Sequence, residues 1–239
     1  MSAVSTTRPP HAADVQHADL RPMQVNASLG RLGFWSAVLT ASFSITFSVS
    51  GLLGLLKITA FPWDPVVPDG ASLLLAIAFV VMMVSIHAAA PRARNHWSHV
   101  GVALAILYAA LVSIVYFVAI TVVVPLLQRG QADKVAPFLF DASGSFMSAL
   151  DGLGYFFLSL ATWFAAPVFA QHGVERWLRR VCIINGVLGI PILLAYMPLI
   201  IPQPVYRVAM AFGFGWMLSV PAVAILVARY FRQASAVQS

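Results

Sequence analysis

Six long apolar stretches, separated by short polar turns, constrain this sequence more than any other feature. A helix of about 20 apolar residues, rising ~1.5 Å per residue, crosses a hydrocarbon core about 30 Å thick. Isolated strands would leave backbone groups unpaired in lipid, so helices are predicted. The sequence therefore predicts an all-α, polytopic membrane bundle with six transmembrane helices. The predicted spans are residues 33–56, 71–90, 100–127, 147–170, 182–201 and 207–228.

The composition agrees with a membrane protein. The chain is 60% hydrophobic and only 9% charged, whereas a soluble domain carries about 25% charged residues. Residues 1–30 are polar and proline-containing, and they lack the basic region and short apolar core of a secretory signal. We expect residues 1–30 to form a disordered cytoplasmic tail, 31–232 the transmembrane domain and 233–239 a cytoplasmic C-terminal tail.

The distribution of Lys and Arg predicts the orientation. Six spans place both termini on one side of the membrane, and short cytoplasmic loops are enriched in Lys and Arg. With the termini inside, the outer loops hold only Lys57, Arg129, Lys134 and Arg207. The inner residues are Arg8, Arg21, Arg31, Arg92, Arg94, Arg176, Arg179, Arg180, Arg229 and Arg232. This predicts cytoplasmic termini in the inner membrane of a bacterium.

The same distribution explains the net charge of +6. No stripe of Lys and Arg with interleaved aromatic residues lies outside the apolar segments, so nucleic-acid binding is excluded. The expected surroundings are the lipid bilayer. A small-molecule ligand, a second copy of the chain and another membrane protein all remain open as partners.

Asp151 is the one acidic residue inside a predicted span. An ionised carboxylate at the bilayer centre costs at least ~2.5–3.5 kcal/mol and usually marks function. However, Asp151 precedes Gln171 by 20 residues, or ~30 Å of helix, which places it near the outer surface. It is therefore either an interfacial acid at a helix start or a functional carboxylate paired with Arg207 or Lys57. In the second case, Asp151→Asn is expected to impair a proton- or cation-linked activity.

Aromatic and amide side chains inside the spans form a second set of candidates. Tyr and Trp prefer the membrane interface, so deeper copies can line a ligand cavity. Alternatively, they pack between helices with the polar atom bonded to a neighbour. With Asp151 and Arg207, these are the ligand or ion-pathway candidates. The set is Tyr108, Tyr116, Trp163, Asn185 and Trp216.

Four histidines are weak metal candidates, because neutral His is the commonest metal ligand. They fall at the inner ends of spans two, three and four, and no carboxylate or cysteine completes a ligand set. A structural or interfacial role is therefore favoured, and no cofactor is predicted. The four residues are His87, His96, His99 and His172.

Signatures of enzymes are missing from the sequence. It contains no HExxH and no GxSxG motif, and Glu175 is the only glutamate. Cys182 is the single cysteine, so neither an intrachain disulfide nor a cysteine-based metal site can form. No catalytic residue is assigned, and an enzyme is disfavoured.

Two hairpins share a pattern. Asp69-Gly70 opens span two and Asp151-Gly152 opens span four, and both spans end in Ala-Ala-Pro, at 89–91 and 165–167. The pattern resembles the parallel duplication of some transporters. The alternative is chance, since Asp-Gly readily starts a helix and these residues are common at membrane borders.

The turn Glu175-Arg-Trp-Leu178 and the following Ile-Asn-Gly-Val-Leu-Gly at 184–189 resemble those of small six-span bacterial membrane protein families of unknown function. The resemblance covers spans four to six. It implies a fold and a location, and no activity.

Three function classes remain open. The first is a transporter or membrane-embedded ligand binder with a cavity near Asp151, reaching Tyr116 and Trp163. The second is a structural or partner-binding membrane protein, without catalytic activity, whose spans associate through small residues. The third, more distant, is a membrane redox protein.

Overall fold

A computed structural model describes residues 25–139, 145–195 and 203–236, without the side chains of 203–212. The described chain is helical and contains no strand, which confirms the predicted all-α fold with six membrane-spanning helices. The helices are α1 (Ala27–Leu55), α2 (Trp63–Ala88), α3 (Asn95–Val118), α4 (Phe146–Ala165), α5 (Gly173–Ala195) and α6 (Gln203–Ala236).

Two helices begin with a side-chain cap. The Asn26 carboxamide oxygen accepts a hydrogen bond from the Leu29 amide at 2.8 Å, at the start of α1. The Ser145 hydroxyl oxygen accepts one from the Ser148 amide at the start of α4. Because the first amides of a helix have no partner within it, such caps fix where the helix begins.

Helix α2 begins at Trp63, in a segment that the sequence analysis treats as a proline-broken loop before residue 71. Pro65 lies in the first turn, where a missing N–H breaks no intrahelical hydrogen bond. Pro68 lies one turn further and is tolerated inside the helix. Asp69 is consequently inside α2, and its side chain is buried.

A π-helical turn, Ala119–Val123, follows α3 and leads into a last helical segment, Val124–Gln128. Pro125 has no N–H and its ring clashes with the preceding turn of an α-helix, so the wider π turn accommodates it. Short π turns occur frequently beside functional sites. Here the turn begins three residues after Tyr116.

The six helices form a ring in chain order. Each helix packs against its neighbours in the sequence, α6 packs back against α1, and α2 also touches α4. Small residues permit close approach, as is usual in membrane bundles. A Cβ atom on Gly154 of α4 would lie 2.7 Å from Val112 Cγ2 of α3, and one on Gly101 would lie 2.9 Å from the Ala161 carbonyl oxygen.

The outside of the ring is apolar. Exposed side chains include Leu55 at 70% and Leu218 at 74%, whereas buried polar side chains lie between the helices. All six helices are long and apolar enough to cross a membrane. The chain is therefore a multi-pass membrane protein. The loops after α2 and α4 lie at the same end of the bundle as the start of α1 and the end of α6, and this end is called the terminal end below.

Candidate functional site

One side of α4 carries four buried polar residues. Asp151, Tyr155, Ser159 and Thr162 are spaced by four, four and three residues, so they share one helix face. Their side chains are 6%, 5%, 0% and 2% exposed. At ~1.5 Å per residue the four positions span ~16 Å along the helix. We call this set the α4 polar face.

The first half of the α4 polar face joins α4 to α2 and α3. The Tyr155 hydroxyl lies 2.6 Å from the Tyr116 hydroxyl of α3 and 3.1 Å from the Ser72 hydroxyl of α2. Tyr116 also forms a side-chain hydrogen bond with Asp151. A buried hydrogen-bonded chain therefore runs from the carboxyl group of Asp151 through two phenols to Ser72.

The ring of Tyr155 is packed among aromatic side chains. Its centroid is 6.1 Å from that of Phe47 on α1 and 6.1 Å from that of Tyr108 on α3. The ring of Trp216 on α6 meets it edge-on with a centroid distance of 4.6 Å. Tyr155 alone thus connects α4 with α1, α2, α3 and α6.

The second half of the α4 polar face joins α4 to α5 and α6. The Trp216 indole N–H donates to the Ser159 hydroxyl oxygen at 2.8 Å. The Asn185 amide of α5 donates to the Thr162 hydroxyl oxygen at 2.8 Å. The Asn185 carbonyl oxygen in turn accepts from the Ser219 hydroxyl at 2.7 Å. With these contacts, the α4 polar face touches all five other helices.

One of the two carboxyl oxygens of Asp151 has no hydrogen-bond partner among the described residues. This atom, Oδ1, is buried, and the hydroxyl of Tyr108 is in the same situation. Asp69 of α2 is 8% exposed and interacts electrostatically with Asp151. No Lys or Arg side chain in the described part of the chain acts on either carboxyl group.

The structure brings four predicted candidates, Tyr108, Tyr116, Asn185 and Trp216, to the α4 polar face or its immediate surroundings. Trp163 lies elsewhere. It follows Asp151 by 12 residues, about 120° around the helix, is 37% exposed, and packs on Gly186.

The two expected ion-pair partners of Asp151 are not seen beside it. Lys57 is exposed, and no interaction with Asp151 is found among the described side chains. The side chain of Arg207 lies outside the described residues. The pairing of Asp151 with Arg207 therefore stays a prediction.

The histidines lie at the terminal end. His87 Nδ1 is 2.9 Å from the Ser98 hydroxyl, and the His87 and His99 rings have centroids 5.4 Å apart. His96, His99 and His172 are exposed. Among the described residues no three His, Cys, Asp or Glu side chains are grouped to hold a metal ion.

Several residues of the site do not appear among the sequence candidates. A usable signal exists on α4, because the polar residues after Asp151 recur every three or four positions. The partners on the other helices are single Ser or Asp residues in apolar surroundings, which carry no such signal. The residues concerned are Asp69, Ser72, Tyr155, Ser159, Thr162 and Ser219.

Fold and site together define a polytopic α-helical membrane protein with a buried polar face on one helix. No family model matches the chain, and no curated protein and no solved structure matches it either. The resemblance to small six-span bacterial families therefore stays an interpretation of the sequence.

Proposed function

We propose that this chain transports or binds a small molecule within the membrane, and that Asp151 is the group that takes up a proton or a small cation. The observation that carries the proposal is the buried Oδ1 atom of Asp151, which has no hydrogen-bond partner among the described residues. Ionisable residues inside membrane spans commonly mark substrate, ion or proton pathways.

Energetics support this role. A buried acceptor without a partner costs about 1–3 kcal/mol, and more when it is charged. A ligand that donates to Oδ1, or a cation beside it, removes that cost. The Tyr108 hydroxyl is a second buried polar atom without a partner in the described chain. Tyr108 also interacts electrostatically with Asp151, so the two groups belong to one polar region of the bundle.

The chemistry around Asp151 favours cations over anions. The surrounding polar groups are the carboxyl group of Asp69 and the hydroxyls of Tyr116, Tyr155 and Ser72. Oxygen atoms are the ligands that hard cations prefer, and aromatic ring faces also attract cations. The hydroxyl chain equally provides a route along which a proton can move.

Proton flux in proteoliposomes tests the proposal. The vesicles contain a pH-sensitive dye, and a potassium gradient with valinomycin sets the membrane potential. Asp133→Asn is the matched control, because it makes the same chemical change at an exposed loop residue. Wild type and Asp133→Asn should acidify the vesicles, and Asp151→Asn should be at least tenfold slower. Equal rates for wild type and Asp151→Asn would count against the proposal.

The alternative is a structural or partner-binding protein, in which the hydrogen bonds of α4 only fix helix packing. The side-chain polar atoms of Thr162, Asn185 and Ser219 each have a hydrogen-bond partner, and these residues suit that role. The unpartnered oxygen of Asp151 does not suit a packing role, because a buried acceptor without a hydrogen bond lowers the stability of the bundle. A ligand that binds there accounts for it better. A redox role finds less support, since His96, His99 and His172 are exposed and lie outside the bundle interior.

We also propose that the protein lies in a bacterial cytoplasmic membrane with both termini in the cytoplasm. The basic residues at the terminal end support this orientation. Because Cys182 is the sole cysteine and is buried, new cysteines can report topology. An impermeant maleimide should label Lys134→Cys on intact cells, but Gln171→Cys only after permeabilisation. The reverse pattern would invert the orientation.

A further inference from the structure

A groove lies on the outside of the bundle near its terminal end, away from the α4 polar face. It has a volume of about 360 Å³, within the range of about 300–1,000 Å³ typical of small-molecule sites. Trp97 and Trp163 on its walls are 42% and 37% exposed, so the groove opens outward. Its lining residues are Trp97, Leu160, Trp163, Phe164 and Pro167.

A positive charge lies beside this groove. Arg94 is exposed, and its Nη1 atom donates to the carbonyl oxygen of Pro167, a lining residue, at 3.2 Å. Among the described residues this carbonyl is the one acceptor that Arg94 reaches. A guanidinium group has five N–H donors in a fixed fork, so its remaining donors are free to bind an anion.

We propose that this groove binds an anionic phospholipid, with part of an acyl chain between Trp97 and Trp163 and the phosphate on Arg94. The walls are apolar and exposed on the membrane side of the bundle, which suits a hydrocarbon chain. Indole rings are favoured at the level of lipid headgroups. An arginine beside them matches the geometry and charge of a phosphate diester.

The charge of the neighbouring chain explains why the lipid is anionic. Arg92 and Arg94 are both exposed on the 3₁₀ turn before α3, and Arg176 and Arg180 are exposed on α5 at the same end. Basic residues at a membrane surface attract anionic headgroups. A zwitterionic headgroup carries no net charge and gains less from this surface.

Lipid binding by native mass spectrometry tests the site on the purified full-length protein. Phosphatidylglycerol and phosphatidylcholine with the same acyl chains are the two probes. Arg94→Gln removes the proposed phosphate ligand, and Arg129→Gln removes an exposed arginine at the opposite end of the bundle. We expect tighter binding of phosphatidylglycerol, an affinity about tenfold lower in Arg94→Gln, and no change in Arg129→Gln.

A second variant tests the apolar half of the groove. Trp97→Ala removes a side chain that is 42% exposed and contacts Phe164 of the groove, and the unfolding temperature of each variant is measured beside its lipid binding. Trp97→Ala should weaken the binding of both lipids to a similar extent, whereas Arg94→Gln should weaken that of phosphatidylglycerol more than that of phosphatidylcholine, whose choline group offsets the charge of its phosphate. Equal affinity of the wild type for the two lipids overturns the proposal, as does an equal loss in Arg94→Gln and Arg129→Gln. Unchanged binding of both lipids by Trp97→Ala overturns it as well.

Discussion

The hydroxyl of Tyr155 on α4 lies 2.6 Å from the hydroxyl of Tyr116 on α3, in the middle of a six-helix ring. Tyr116 also forms a hydrogen bond with Asp151, and the Ser72 hydroxyl of α2 forms one with the Tyr155 hydroxyl. Burying two phenols and a carboxyl group inside a membrane costs free energy unless each polar atom has a hydrogen-bond partner. The tyrosine pair links the packing of the bundle to its proposed binding site.

Loss of the hydroxyl group should lower the stability of the protein at Tyr155 but not at Tyr108. Tyr155→Phe removes hydrogen bonds to Tyr116 and Ser72, and interhelical hydrogen bonds in membranes contribute ~0.6 kcal/mol on average and up to ~1.7. We expect a loss of about 1 kcal/mol or more in the free energy of unfolding. Unfolding in mixed micelles measures it.

Tyr108→Phe is the matched control. Both tyrosines are buried, but the Tyr108 hydroxyl has no partner among the described residues. Its removal should change stability by less than about 0.5 kcal/mol, or raise it. Similar losses in the two variants would show that the hydrogen bonds of Tyr155 do not stabilise the bundle.

The amide of Asn185 should be energetically coupled to Thr162. A double-mutant cycle with Asn185→Ala and Thr162→Val isolates their hydrogen bond of 2.8 Å. We expect a coupling of roughly 0.6–1.7 kcal/mol. Thr121→Val in place of Thr162→Val gives the control, because Thr121 is exposed and its hydroxyl donates to its own helix at Phe117. A coupling near zero for both pairs would refute the α4–α5 link.

Two glycines should differ in their tolerance of a methyl group. A Cβ on Gly186 would lie 2.6 Å from Trp163 Cβ, whereas one on Gly213 meets no heavy atom of the described residues within 4 Å. Gly186→Ala should therefore lower the free energy of unfolding by about 1–3 kcal/mol. Gly213→Ala should be neutral or stabilising by up to ~1 kcal/mol, because alanine favours a helix interior. Equal effects would mean that α4 and α5 approach less closely.

The sequence predicts the architecture well because lipid leaves few choices. Apolar stretches of sufficient length must be helices, so the six spans follow from their length and composition. The ends are harder to place, because helices continue beyond the apolar part. Pro65 and Pro68 suggest a loop, yet both lie within α2. Pro65 lies in the first turn, where the missing N–H has no partner to lose, and Pro68, one turn further, removes a single hydrogen bond from a helix of 26 residues.

Some residues of the site can be predicted from the sequence, but their contacts cannot, because these depend on which helices pack against each other. The lone carboxyl group of Asp151 and the deep aromatic residues Tyr116 and Trp216 are visible in the sequence. Tyr155 is visible too, but its role comes from neighbours on four other helices. Trp163 could have been excluded from the site by the sequence alone. It lies about 120° around the helix from Asp151, so the two side chains cannot share one face.

Thermal unfolding of the purified protein with a ligand panel tests the central claim most directly, namely that Asp151 binds a small cationic ligand or a proton-linked substrate. The panel contains alkali cations and small amines, and wild type, Asp151→Asn and Asp133→Asn are compared. The account predicts that at least one compound raises the Tm of wild type and Asp133→Asn, and that Asp151→Asn does not respond. An equal rise in Tm for Asp151→Asn and wild type with every active compound would contradict it.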